Sequence, residues 1–235
     1  MRSITLPLMF AMLLAGCSED RPDTSSVAVT EEASWNDQLA DVRSGLSASI
    51  RISVATVSSE QFRELGTGCE QLTTLVLDRA AVTDDDLKVL ASLPQLSWLK
   101  LPSPVGDPGA KLIAQSSRLR FLNLPGGVFS DRGLAELARL ERLQLLRFGS
   151  PNVTDAGLRE LTRLPGLRFL HLIDVPITDA GLKHIAAIEK LESFYLDGGG
   201  PTDAGLNQLL VERPELHFHR DQQHLPGDPN ADRHD

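Results

Sequence analysis

Five Thr-Asp or Ser-Asp pairs recur along the chain, and they are the first residues that could perform chemistry. They are Thr83-Asp84, Ser130-Asp131, Thr154-Asp155, Thr178-Asp179 and Thr202-Asp203. A hydroxyl beside a carboxylate could ligate a metal ion or assist acid–base catalysis. Each pair, however, stands where a helix is expected to begin. There, Thr or Ser caps the first turn and the Asp charge interacts favourably with the helix dipole. We therefore interpret the pairs as helix caps and predict no catalytic residue and no metal ligand among them.

Three histidines near the end of the chain, His217, His219 and His224, form a second candidate site. Alternate residues of a strand share a face, so these side chains could ligate a metal ion. Because no acid or cysteine is clearly placed to complete the site, metal binding here is only an alternative. The chain also lacks Gly-x-Ser-x-Gly, His-Glu-x-x-His and a Gly-rich phosphate loop after a strand. We predict no enzyme activity and no cofactor.

Leucine recurs with a period of about 24 residues through most of the chain. The positions are Leu72, Leu96, Leu119, Leu143, Leu167, Leu191 and Leu216. The first six open one pattern: Leu-x-x-Leu-x-Leu, a short loop, then variants of Thr/Ser-Asp-x-Gly-Leu-x-x-Leu. The first half predicts a strand whose fourth and sixth residues face a core, and the second half predicts a short helix. The recurring glycine predicts a close approach between stacked units.

This tandem pattern resembles the leucine-rich repeats, in particular the cysteine-containing and ribonuclease-inhibitor-like subfamilies. The resemblance covers about three quarters of the chain. It implies an α/β fold: a right-handed solenoid with a parallel sheet on the concave side and short helices on the convex side. It also implies a binding scaffold rather than an enzyme. No F-box precedes the repeats, so no role in ubiquitin ligation is implied.

The repeats predict a single domain over residues 40–220. A degenerate first unit spans residues 47–71, six repeats span 72–215, and a closing strand spans 216–220, where His219 takes an inward position. Trp35, Leu39 and Val42 share one side of a predicted helix over residues 35–46. Residues 221–235 are predicted to be a disordered tail. Cys69 is expected to be a buried packing residue.

The first residues predict export and lipid attachment. Residues 1–16 combine a basic start with an apolar run too short to span a bilayer, as in a secretory signal peptide. The run ends in Leu14-Ala15-Gly16-Cys17, which resembles the lipobox of bacterial lipoproteins and implies lipidation of Cys17. The acidic segment 17–39 is predicted to be a disordered tether. We expect a lipid-anchored protein of the cell envelope, and Ser18 favours the outer membrane if the enterobacterial sorting rule applies.

The overall charge excludes one class of partner. The formal net charge is −9 at pH 7, and removing residues 1–16 takes away one arginine and no acid, which leaves −10. A general nucleic-acid binder would need a basic surface, so we expect no nucleic-acid partner. We expect a monomer that contacts the membrane only through its N-terminal lipid.

The outward strand positions define a surface that we call the outer sheet face, the concave side of the solenoid. The third positions are Thr74, Trp98, Phe121, Leu145, Phe169 and Ser193, and the fifth are Val76, Lys100, Asn123, Arg147, His171 and Tyr195. An exposed row of aromatic residues beside a cationic row is typical of a binding surface.

We predict that this face binds a protein, peptide or anionic glycan. The predicted binding residues are Trp98, Lys100, Phe121, Asn123, Arg147, Phe169, His171 and Tyr195. With ordinary titration of His171, binding of an anion would strengthen below about pH 6.5. The alternative is a structural envelope protein with no specific ligand, in which these residues merely tile a sheet.

Overall fold

Short strands alternate with short helices in the computed structural model of the chain, which describes residues 32–223. The strands are β1 (Ser49–Ile52), β2 (Val57–Ser58), β3 (Thr74–Leu77), β4 (Ala80–Ala81), β5 (Trp98–Lys100), β6 (Phe121–Leu124), β7 (Leu145–Gly149), β8 (Phe169–Ile173), β9 (Ser193–Asp197) and β10 (His217–Arg220). The α-helices are α1 (Trp35–Ser44), α2 (Ser59–Arg63), α3 (Asp107–Ile113), α4 (Asp131–Leu137), α5 (Asp155–Leu158), α6 (Asp179–Ala186) and α7 (Asp203–Glu212). Segments Glu64–Gly66, Asp84–Ser92 and Arg159–Arg163 are 3-10 helices.

Several predictions fall outside the described residues. They are the signal peptide over residues 1–16, lipidation of Cys17, the tether up to residue 31 and the tail from residue 224. Among residues 32–223, no helix combines the length and the apolar character that crossing a bilayer requires.

The core lies on one side of an eight-stranded parallel sheet, in the order β1-β3-β5-β6-β7-β8-β9-β10. The fourth and sixth residues of the repeats are fully buried, as their alternation in the strands predicts. They are Leu75, Leu77, Leu99, Leu101, Leu122, Leu124, Leu146, Phe148, Leu170, Leu172, Phe194 and Leu196. The prediction of an α/β solenoid with a parallel sheet and short helices is confirmed.

The first edge of the sheet is closed by helix α1, which begins earlier than the predicted domain. Trp35, Leu39 and Val42 are buried against the core. The amide of Gln38 donates to the carbonyl of Arg51 at 2.8 Å and accepts from its backbone N–H at 2.7 Å, which satisfies the free edge of β1. The predicted boundary between a tether over 17–39 and a domain from residue 40 is therefore wrong, because residues 35–39 are helical and Trp35 and Leu39 are buried in the core.

The degenerate first unit follows the predicted pattern. Ile50 and Ile52 occupy inward positions of β1. Phe62 of α2 and Leu65 of the following 3-10 helix are also fully buried. Cys69 is a buried free thiol, as predicted, and burial raises its pKa. An atypical first unit of this kind closes the exposed end of a repeat stack.

The closing strand differs from the prediction by one residue. His217 pairs with Ser193 and Phe218 with Phe194, so Phe218 takes the inward position and is fully buried. His219 therefore lies beside Tyr195 on the outer sheet face, and the inward placement predicted for it is wrong.

The predicted tail also begins too early, because Asp221 is tied to the preceding unit. Its carboxylate accepts the Gly198 N–H at 2.8 Å and its backbone N–H donates to the Leu196 carbonyl at 2.9 Å.

A carboxylate at the start of four consecutive helices, α3 to α6, joins one repeat to the next. Asp131 accepts the Thr154 N–H at 2.8 Å and the Thr154 hydroxyl at 2.7 Å. The same pair of bonds joins Asp107 to Ser130, Asp155 to Thr178, and Asp179 to Thr202. We call this series the Asp ladder. The interpretation of these residues as helix caps alone is thus incomplete, because each carboxylate bonds to the following unit.

The recurring glycine is required by this ladder. A Cβ at Gly181 would lie 2.4 Å from the Asp155 Oδ1, and one at Gly205 would lie 2.2 Å from the Asp179 Oδ1. No side chain fits there while the carboxylate keeps its two bonds. The predicted close approach between units is confirmed, and its partner is a side-chain carboxylate of the preceding repeat.

Replacing Gly181 with Ala tests this explanation, because the new methyl group competes with Asp155 for one space. We expect a loss of about 1–3 kcal/mol in the free energy of unfolding from overpacking. An Asp155→Ala background removes the carboxylate, the nearest neighbour of the new methyl group, and leaves Leu158 Cδ1 at 3.1 Å. Ala is also favoured over Gly in a helix by about 0.5–1 kcal/mol. The cost of Gly181→Ala should therefore fall by at least about 1 kcal/mol in chemical denaturation.

An Asp179→Ala background is the matched control, since that carboxylate contacts Gly205 instead. There, Gly181→Ala should cost as much as in the original chain. An equal cost in all three backgrounds would show that the glycine is not retained because of the carboxylate.

Candidate functional site

Strand pairing aligns the outward side chains into two parallel rows. The third row is Ser49, Thr74, Trp98, Phe121, Leu145, Phe169, Ser193 and His217, and the fifth row is Arg51, Val76, Lys100, Asn123, Arg147, His171, Tyr195 and His219. Neighbouring residues in a row belong to adjacent strands, which lie about 4.8 Å apart. The outer sheet face therefore brings together all eight predicted binding residues and extends one unit further at each end.

Part of the aromatic row is covered rather than exposed. The Arg51 guanidinium lies over the Trp98 ring at 4.3 Å, and Trp98 is only 8% exposed. A flat cation over an aromatic face is a favourable contact that also shields the ring from water. Trp98 is therefore not the open apolar anchor that the sequence predicts.

Two rings near the centre of the third row are more accessible than Trp98, although Leu145 between them is buried, at 8% exposed. Phe121 and Phe169 are half-buried and flank Leu145, and we call these three residues the apolar strip. Arg120 lies over Phe121 at 5.4 Å and Arg168 over Phe169 at 5.2 Å. A guanidinium group therefore lies over each end of the apolar strip, farther from its ring than Arg51 is from Trp98.

A chain of hydrogen bonds runs along the fifth row. Arg147 donates through Nη1 to the Asn123 Oδ1 at 3.3 Å and through Nε to the His171 Nδ1 at 3.1 Å. Because Nδ1 accepts, the ring proton is on Nε2, which donates to the Asp197 Oδ2 at 2.8 Å. Four adjacent strands are thereby connected through their side chains.

This geometry changes the expected titration of His171. Burial lowers the pKa of His171 below its ordinary value, Arg147 lowers it further, and the Asp197 hydrogen bond opposes both effects. A second ring proton would place two N–H groups, on His171 Nδ1 and Arg147 Nε, against one another. The prediction of a charged His171 just below pH 6.5 is therefore corrected to a lower pH.

Two predicted binding residues are buried in the row. Asn123 is 2% exposed and Tyr195 is 7% exposed. The Tyr195 ring stacks on His219 with centroids 4.8 Å apart, and its hydroxyl has no hydrogen-bond partner among residues 32–223. Burial raises the pKa of Tyr195 to about 12. Both residues hold their neighbours in place and offer little surface to a ligand, contrary to the prediction.

The charges of this face are partly neutralised within the chain. Lys100 forms an ion pair with Asp78, and Arg168 forms two hydrogen bonds of 2.6 Å with Glu192. Within the described part of the chain, Arg51, Arg120 and Arg147 have no carboxylate partner at salt-bridge distance. Arg147 is half-buried, and this burial lowers its pKa. The positive charge of this face that is not held in an ion pair within residues 32–223 therefore lies on Arg51, Arg120 and Arg147.

The alternative metal site at the closing strand is not completed by the described residues. The Nε2 atoms of His217 and His219 lie 3.0 Å apart and share a hydrogen bond. Residues 32–223 contain no group of three or more His, Cys, Asp or Glu arranged to hold a metal ion. His224 lies outside that range, so the metal alternative stays a prediction.

Besides the terminal positions Ser49, His217 and His219, two residues that contact predicted binding residues were missed from the sequence. Arg51 belongs to the degenerate first unit, and continuing the repeat spacing back through Val76 would have placed it in the fifth row. Asp197 is the last residue of β9 and lies beyond the third and fifth positions that the repeat pattern defines. Its hydrogen bond to His171 on the neighbouring strand is seen only in the folded structure.

Comparisons with known proteins support the fold. No family model matches the chain, and no curated protein matches it significantly. An internalin (inlF) from Listeria monocytogenes superposes with a TM-score of 0.54 at 18% identity, over 72% of this chain and 48% of the internalin. Internalin C2 (inlC2) from the same species superposes with a TM-score of 0.56 at 23% identity, over 82% of this chain and 79% of the internalin. Both neighbours are leucine-rich-repeat proteins.

Tyr195 can be tested directly because it is the only tyrosine in the chain. Phenolate absorbance should rise with a midpoint near pH 12 in the folded protein, because burial disfavours the charged form. The chain in concentrated guanidinium chloride is the control and should titrate near pH 10. A midpoint near 10 while circular dichroism still shows the folded state would contradict the burial of this hydroxyl.

His171 gives a second prediction, on the acid side. Its folded pKa is lowered, so the unfolded chain takes up a proton that the folded chain does not. The associated stability is present above about pH 6.5 and is lost as the pH falls towards the folded pKa. NMR of the ring protons should give a midpoint below 6.5, and Asp197→Asn should lower it further because the carboxylate raises the pKa. A midpoint at or above 6.5 would refute the neutral hydrogen-bonded ring.

Proposed function

We propose that this chain is a non-enzymatic module that binds a partner protein through its outer sheet face. The observation that carries the proposal is the position of Arg147, a half-buried cation with no carboxylate partner in residues 32–223, directly beside the apolar strip. A cation partly removed from water is costly unless a counter-charge pairs with it. For Arg147, the electrostatic attraction of Asp197, which lies beyond His171, offsets only part of that cost. Apolar residues bordered by arginines are also the usual anchors of protein interfaces.

The fold supports this function because it presents a continuous row of side chains to a partner. Parallel strands repeat the same two outward positions, so an extended segment can contact several units at once. The structural likeness to two internalins supports a binding scaffold, and no catalytic motif in the sequence points to a reaction.

We propose further that the module works at the bacterial cell envelope, anchored by lipid on Cys17. The support is sequence alone: a basic start, a short apolar run and Leu14-Ala15-Gly16 before the cysteine. Ser18 would direct the protein to the outer membrane under the enterobacterial rule. We expect it to act as a monomer, with the tether holding the repeats away from the bilayer.

Site-specific photo-crosslinking tests which face binds. A benzophenone amino acid at Val76, in the fifth row, should yield a discrete adduct in envelope extracts of the source organism. The double variant Phe121→Ala with Arg147→Gln should abolish that adduct, because it removes the central apolar and cationic contacts together.

The matched control is Arg159→Ala with Lys183→Ala on the helical side, where both side chains are exposed. This pair should leave the Val76 adduct unchanged. If the control pair abolishes the adduct while the outer-face pair preserves it, the partner binds the helical side and the proposed function fails.

Lipidation is tested by replacing Cys17 with Ser. We expect the variant to accumulate as an unprocessed or soluble form, whereas the original chain fractionates with membranes. Intact-mass analysis of the mature protein should show an acylated Cys17 at the N-terminus. A mature protein that begins at another residue, with Cys17 unmodified or absent, would rule out the lipid anchor.

A further inference from the structure

We propose that Arg147 binds a carboxylate of the partner, presented by an Asp or Glu side chain on an extended segment that also places an apolar side chain on the apolar strip. This inference rests on the proposed function and narrows it from a protein-binding face to an acidic peptide subsite centred on strand β7.

The guanidinium of Arg147 retains donors for a ligand. A guanidinium carries five N–H groups in a planar fork. Arg147 uses one for His171 and one for Asn123, so three have no acceptor among the described residues. The two bonds to neighbouring strands fix the plane of the fork in advance. A preorganised fork with free donors suits a carboxylate, which accepts two parallel N–H bonds.

The carboxylates of this face form no direct ion pair with Arg147, because each bonds to another residue, and Asp197 attracts Arg147 only from beyond His171. Asp197 accepts from His171, Glu192 binds Arg168, and Asp78 binds Lys100. Burial lowers the pKa of Arg147, which means that the folded chain stabilises its charge less well than water does. A carboxylate from outside would add a direct ion pair to the more distant attraction of Asp197, at a partly desolvated position where such pairs contribute more than at an open surface.

The residues beside Arg147 favour a peptide over a small anion. Leu145 lies two residues before Arg147 on β7 and faces the same side, and Phe121 and Phe169 flank it on β6 and β8. A free phosphate would leave this apolar strip uncovered. An extended segment with an acidic and an apolar side chain close together contacts both features. Arg120, whose side chain hydrogen-bonds to Gln144, adds a second cation at the edge of the strip that has no carboxylate partner among residues 32–223.

The test uses a random peptide library displayed on phage and panned on the full chain. We expect the enriched sequences to contain Asp or Glu close to Leu, Phe or Ile. The best peptide is then synthesised with a fluorescent label, as itself and with its acid changed to the amide, and its Kd is measured by anisotropy. Arg147→Gln should weaken binding of the acidic peptide about tenfold or more, since a charge-assisted pair is lost. It should change binding of the amide peptide less than about twofold, because the two groups act as one contact.

Arg139→Gln is the matched control, because it removes one positive charge outside the outer sheet face, at an exposed residue just after α4 that already has Glu136 as its partner. We expect it to change the Kd by less than about threefold. Melting temperatures of both variants, measured alongside, confirm that they are folded.

The outcomes separate this inference from the proposed function. Enriched peptides that lack an acid, or that bind Arg147→Gln unchanged yet lose binding in Phe121→Ala, overturn the carboxylate subsite and leave the binding face intact. Peptides unaffected by both variants contradict the subsite and the face together, as does a library with no peptide above the empty matrix. Concentration-dependent dimerisation that Arg147→Gln abolishes would identify a second copy as the occupant and overturn the peptide proposal.

Discussion

The carboxylate at the start of helices α3 to α6 is the interaction on which the rest of this structure depends. In the Asp ladder, one oxygen accepts a backbone N–H of the next repeat and the other accepts its hydroxyl, so each unit is held by two bonds. Hydrogen bonds to a charged group are stronger than those between neutral groups. The glycine that faces each carboxylate follows from the same contact, because no Cβ fits beside it.

The ends of the stack show how the ladder is closed. The final carboxylate, Asp203, has no following repeat in the described chain and accepts from Arg220 at 2.7 Å instead. Asp84 bonds only to the backbone N–H of Gly106, because Gly106 has no hydroxyl to donate. At the first edge of the sheet the Gln38 amide bonds to the backbone of β1. A terminal unit must satisfy groups that a neighbour would otherwise satisfy, and each end does so with its own side chains.

Repeat units held in register determine what the outer sheet face can do. The chain of bonds from Asn123 through Arg147 and His171 to Asp197 crosses four strands, so it forms only if those strands keep their alignment. That alignment also places Arg147 beside Leu145 and its two aromatic neighbours. The proposed binding function therefore depends on a ladder that lies away from the face itself.

Much of this architecture could be predicted from the period of the leucines, because alternation within a strand decides which residues face the core. The inward residues from Leu75 to Leu196 and the first-unit pair Ile50 and Ile52 are buried as that rule requires. Contacts between side chains of different units could not be predicted in the same way. Arg51 on β1 covers Trp98 on β5 because its long side chain extends across the intervening strand β3. His219 lies on the outer sheet face because the pairing of β10 is shifted by one residue from the repeat spacing that begins at Leu216.

The contact that each ladder Asp forms with the next repeat could not be predicted from the sequence either. Their position in the first turn has a sufficient local explanation, so nothing in one repeat pointed to a partner 23 residues later.

Amide hydrogen exchange at the ladder donors tests the central claim most directly, because each of these N–H groups has its acceptor in another repeat. The backbone N–H groups of Ser130, Thr154, Thr178 and Thr202 should exchange slowly in the folded chain, although the loops before the helices lie at the surface. In Asp155→Ala, protection should be lost at Thr178 and retained at Thr154. Free exchange at all four positions in the original chain, or unchanged protection of Thr178 in the variant, would contradict the claim that these carboxylates hold the repeats together.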